Sequence, residues 1–135
     1  MTVRTRANCN SWPATRNDGN TEGDDIPCEG QRFRLDPTFD VSTLYSPAAQ
    51  TIARAMQQYG LILTDKGGAV VTYAEDPRPF MARTGQSDPY IPLMDPNNLI
   101  PDGFEHYVIL GQIPIDRLQA LPMDYGKPEC GSEDC

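Results

Sequence analysis

One stretch of this chain escapes the breakers that divide the rest of it. Ser46 to Tyr59, SPAAQTIARAMQQY, contains no glycine and a single proline, placed where a helix tolerates one. Ser46 can accept a hydrogen bond from a first-turn N–H, and Pro47 suits the first helical position, where its missing donor is not needed. Ala49, Ile52, Met56 and Tyr59 recur at spacings of three and four, with Gln50, Arg54 and Gln57 on the other side. Gly60 supplies a left-handed cap that Leu61 can close against Met56. The spacing predicts one amphipathic helix over about 46–59 with Ile52 and Met56 facing a sheet. That sheet is expected from strands at 61–65 and 69–73, joined by the turn Asp65-Lys66-Gly67-Gly68.

Elsewhere thirteen prolines and eleven glycines in 135 residues cut the chain into short strands and turns. Residues 1–12 alternate in a strand-compatible way up to Trp12-Pro13, and 14–30 read as a polar loop. Phe33 and Leu35 alternate with Arg32 and Arg34, as in a half-buried strand. Residues 75–103 carry six prolines and read as loop, a length that often carries function. Phe104 to Leu110, introduced by Asp102, is a short second helix candidate, and Leu118 to Leu121 a last strand. The fold class expected is α+β: mainly an antiparallel β-sandwich of jelly-roll type carrying one amphipathic helix. Residues 1–126 are expected to form a single domain and 127–135 an acidic tail.

A net charge of −8 leaves no basic stripe to displace counterions from phosphate, which argues against nucleic acid and against an anionic membrane surface. No stretch approaches membrane-spanning length, and MTVRTRANCN has no apolar core of a signal peptide. Cys9, Cys28, Cys130 and Cys135 are separated by 18, 101 and 4 residues, which matches no usual zinc pattern. Four cysteines in an acidic, Pro/Gly-rich chain favour disulfides and an extracellular, secreted location over free buried thiols. Of the three pairings, Cys9–Cys28 with Cys130–Cys135 is expected, the second closing the tail.

Asp18 to Glu29 has the oxygen-ligand spacing of a calcium loop, with Asp18, Asn20, Glu22, Gly23 and Glu29 at positions 1, 3, 5, 6 and 12 and Asp24 beside them. Pro27 blocks an exit helix and none precedes Asp18, so the competing reading is a solvated acidic loop. His106 lacks a neighbouring nucleophile motif and reads as structural rather than catalytic. Asp65, Glu75, Asp76, Asp88, Asp95 and Asp102 would suit a glycosidase only if two of them faced each other across a cleft. Most lie beside proline or glycine, where aspartate favours turns. Trp12, Tyr73, Tyr90, Tyr107 and Tyr125 could stack on a glycan, or pack as core.

The stretches Trp12-Pro13-Ala14-Thr15, GQRFRLD at 30–36, ARAMQQYGLILTDKGG at 53–68 and IPIDRLQAL at 113–121 resemble the C-terminal portion of a family of uncharacterised secreted β-rich proteins of soil bacteria. The resemblance spans most of residues 1–121; the acidic 17–29 loop, the 76–101 segment and the Cys130/Cys135 tail depart from it. It implies that Met1 falls inside a strand of a larger sandwich. An open strand edge near residues 2–8 would then take a protein partner or a second copy. No catalytic residue is carried over. The expected function is a secreted, non-catalytic binding or structural domain of an extracellular assembly. The alternative is a carbohydrate-active hydrolase or lyase with catalytic groups partly outside the chain.

Overall fold

The computed structural model describes residues 2–73, 75–91 and 109–129. Its regular elements are β1 (Arg32–Leu35), α1 (Pro47–Gln58), β2 (Leu61–Ile62), α2 (Pro77–Thr84) and β3 (Leu118–Ala120). The architecture is an α+β mixture of two helices and one open three-stranded antiparallel sheet, ordered β2-β1-β3. β1 is central: Arg32 and Phe33 face Ile62 and Leu61, while Phe33, Arg34 and Leu35 face Ala120, Gln119 and Leu118. Among the described residues this is the only sheet of named strands.

α1 forms where the spacing places it. The Ser46 hydroxyl accepts from the Ala49 N–H at 3.1 Å, and Pro47 opens the first turn. Ala49, Ala53 and Met56 turn inward onto Leu35, with Leu44 and Ile113 completing the buried cluster. The two alanines leave out side-chain bulk, so the helix can lie close to the sheet. Ile52 is only half-buried at the margin of that cluster. Tyr59, expected on the core face, is 70 % exposed. It is the C-cap residue, where the helical period no longer sets the direction of the side chain. Gly60 follows at φ +75°, and a Cβ there would lie 2.5 Å from the Phe33 carbonyl oxygen. Only glycine lets the chain fall from α1 directly into β2 beside β1.

Three expectations are corrected. The hairpin of 61–65 with 69–73 does not form: β2 pairs with β1, and residues 69–73 belong to no strand. Gly67, expected in the hairpin turn, instead exchanges both backbone hydrogen bonds with Val3. Residues 75–91 are not all loop, because Asp76 caps α2, Pro77 and Pro79 sit in its first turn, and Gly85 ends it in the left-handed conformation. The second helix therefore lies at 77–84, and the candidate at 104–110 falls mostly outside the described residues. Lastly, the edge near residues 2–8 is not open. Val3 pairs with Gly67, the Arg6 N–H donates to Pro27, the Ala7 N–H to Thr21, and the Thr5 carbonyl accepts from Thr21.

Candidate functional site

The N-terminal segment, the 18–30 loop and the 61–67 segment are bound together by polar and covalent links. Cys9 and Cys28 form a disulfide across 5.1 Å between their Cα atoms. Gly30, at φ +83°, lies so close to the Ser11 carbonyl oxygen that a Cβ would come within 1.7 Å of it. Its N–H donates to the Leu63 carbonyl at 2.7 Å, as the Ser11 N–H does to the Glu29 carbonyl. Those contacts hold the Glu29 side chain inside, 6 % exposed. Its carboxylate accepts from the Thr5 hydroxyl at 3.0 Å and the Asp18 N–H at 3.3 Å.

Asp18, Glu29 and Asp65 present carboxylate oxygens within 4.8 Å of one another. Lys66 reaches into the group, its ammonium 3.2 Å from the Asp18 carboxylate and 2.5 Å from the Asp18 carbonyl oxygen. The Lys66 ammonium is the largest cause holding the Asp18 carboxyl below its ordinary range.

Of the residues expected to hold calcium, Asp18 and Glu29 converge in this way. Asp24 lies elsewhere, its carboxylate 2.5 Å from the Arg6 guanidinium, and Asn20 and Glu22 are exposed. The middle of the loop is drawn off because Thr21 hydrogen-bonds the backbone of Thr5 and Ala7. Asp65, which no local spacing connects to Asp18, is the third carboxylate. Calcium takes six to eight oxygens; here part of the counter-charge already comes from Lys66.

Among the described residues the other carboxylates do not gather. Asp76 accepts from the Arg78 N–H and pairs with its guanidinium, Asp88 accepts from the Tyr90 N–H at 2.8 Å, and Glu75 is exposed. Asp95, Asp102, His106, Tyr107, Cys130 and Cys135 lie outside the described residues. Trp12 has the Arg32 guanidinium over its ring at 5.8 Å, so that face is covered. Tyr90 is half-buried, and Tyr125 is exposed.

Beside the carboxylates an open groove of about 480 Å³ runs along the sheet. Val3, Phe33, Leu61 and Leu118 line it with apolar side chains, as do Val70 and Tyr73 from the irregular 69–73 segment. Asp65 and Lys66 line it as well, so groove and carboxylate cluster share a wall. Sequence reasoning missed the groove because it placed 69–73 in a hairpin that would have occupied this space. Among the described residues no helix is long and apolar enough to cross a membrane. Compared with known proteins, the chain matches no family model, no curated protein and no solved structure.

Proposed function

We propose that this chain is a non-catalytic binding or structural domain of a secreted, extracellular protein or assembly, and that it acts through the groove. The observation that carries the reading is an open, mostly apolar cavity of ligand-binding size, about 480 Å³, beside the open three-stranded sheet. The Cys9–Cys28 disulfide supports an oxidising compartment. In this reading the three-stranded sheet is one part of a larger jelly-roll-like sandwich, and Cys130–Cys135 closes the tail. Calcium held from Asp18 to Glu29 is an accessory proposal. It would recruit Asp65 and compete with Lys66, so Lys66→Met should tighten it.

One observation favours the alternative, a carbohydrate-active hydrolase or lyase: carboxylates do converge beside a cleft. Against it, Glu29 is buried and hydrogen-bonded and Asp18 is ion-paired. The oxygens, within 4.8 Å of one another, are too close for an inverting pair (~6.5–9.5 Å) and nearer the ~5–5.5 Å of a retaining one. Nuclear magnetic resonance titration with a panel of soluble peptides and oligosaccharides separates the two. Binding should shift signals of Val3, Leu61 and Val70 without consuming ligand. Oligosaccharide turnover that disappears in Asp65→Asn or Glu29→Gln would replace the binding reading with the hydrolytic one.

A further inference from the structure

Ala69-Val70-Val71-Thr72-Tyr73 is the segment where local preference and observed structure disagree most. Its β-branched and aromatic residues favour a strand, yet it forms none, and among the described residues its backbone makes no hydrogen bond. Val71 is 64 % and Tyr73 84 % exposed, although neither carries a charge. An uncharged, strand-forming segment that is exposed, and without a strand partner among the described residues, is what proteins ordinarily cover or guard with charge. Disagreement between local preference and fold tends to mark functional places. The groove is lined by Val70, Val71 and Tyr73 of this segment together with Val3, Phe33 and Leu61.

We propose that an extended segment of a partner protein, apolar at alternate positions and basic at its ends, adds to residues 69–73 as a β-strand and fills the groove with its apolar side chains. The proposal rests on the binding reading above and names the class of partner. Strand addition supplies main-chain hydrogen bonds for affinity, and pockets for alternate side chains supply specificity. Charge selects the partner's sign. The chain carries −8; Lys66 is paired with Asp18 and Asp76 with Arg78, which leaves Asp65 on the groove and Glu75 after the segment as carboxylates against the single guanidinium of Arg4. A second copy would carry another net −8 and be repelled overall, whereas a basic segment is attracted.

The test uses the full chain and synthetic heptapeptides of alternating valine and threonine, with either lysine or glutamate at both ends. Isothermal titration should find the lysine-ended peptide about tenfold or more the tighter, its advantage shrinking with added salt. Val71→Lys, a change at an exposed side chain, should weaken it by about tenfold or more. A copy of the peptide N-methylated at alternate residues should lose binding, because it cannot complete the ladder. Equal binding of the methylated copy would remove the strand but leave the groove as a binding site, so the two readings fail separately. Equal binding of both charge forms would remove the basic partner. Failure of both peptides overturns the proposal. If amides 70–73 are then protected in the monomer, the chain covers its own groove; if protection tracks concentration-dependent dimers, a second copy does.

Discussion

The helix-on-sheet half of this molecule and the segments that clasp its N-terminal side are stabilised by different physics. Around α1 and β1 the contacts are apolar: Leu35 is 0 % exposed among Ala49, Ala53 and Met56. Around the disulfide the buried side chains include Thr5, Ser11 and Glu29, and the links are a covalent bond, backbone bridges and charge-assisted hydrogen bonds. Apolar burial is non-directional and tolerates small shifts. Buried polar contacts do not, since each unpaired group costs its full desolvation. A small chain so often interrupted by proline and glycine has little apolar surface for a second core, so cross-links and polar pins take that place.

The largest expected effect lies in the apolar half. Leu35→Ala should cost about 3–5 kcal/mol in urea denaturation, because the helix cannot settle fully onto the gap. Ile52→Ala, at the half-buried margin, should cost about 2 kcal/mol, near the lower bound for such truncations. Equal costs would mean that the cluster extends beyond the residues seen to be buried.

Cys28→Ser comes next. Opening a loop with a sequence separation of 19 should cost roughly 3 kcal/mol in the chain-entropy model. The sharper readout is where amide exchange rises. If the two regions are held independently, protection should fall over residues 5–30 and persist in α1. Loss of α1 protection at the same rate would show one cooperative unit and break the comparison.

Legibility in the sequence follows the same division. α1 is readable to its cap because Ser46, Pro47 and Gly60 act within a few residues of what they stabilise, and β1 is readable from its alternation. Ala53 passed unnoticed, since a small residue on a core face carries little hydropathy signal. The 69–73 strand failed because Gly67 has a partner, Val3, that no local rule could name. The carboxylate cluster was half legible. Asp18 and Glu29 are eleven residues apart in one acidic loop, whereas Asp65 and Lys66 arrive by way of the sheet. α2 was overlooked because its prolines were read as breakers, although both occupy the first turn, where the helix needs no donor from them.

Two single hydrogen bonds give a closer comparison. Ser46→Ala removes the acceptor for the Ala49 N–H and should cost about 1 kcal/mol, as for other N-caps. Thr5→Val takes the hydroxyl from the buried Glu29 side chain, which leaves a buried acceptor oxygen short of a donor, and should cost about 1–3 kcal/mol. Chemical denaturation at neutral pH measures both. A smaller loss for Thr5→Val than for Ser46→Ala would mean that water reaches Glu29, and that the clasp is wetter than its burial implies.

The smallest effect is electrostatic and appears only in acid. The Asp18 carboxyl is depressed below its ordinary 3.8, chiefly by the Lys66 ammonium. A depressed folded-state value means that the group contributes stability above pH 3.8 and loses it as pH falls through the lower, folded value. Asp36 and Asp40 are depressed in the same direction, by hydrogen bonds from Thr38 and Ser42 in the segment leading into α1. Both regions should therefore weaken below pH 3.8, each through its own aspartates. Asp18→Asn removes the titration from the clasp alone. Its stability should fall less steeply with acid than the wild type's, with exchange over residues 18–30 losing its pH dependence and exchange in α1 keeping it. All of these groups are solvent-exposed and screened, so the difference should shrink further in high salt. Parallel acid limbs for the two proteins would show that Lys66 lies beside Asp18 without stabilising it, and would leave the disulfide and Glu29 to hold the clasp.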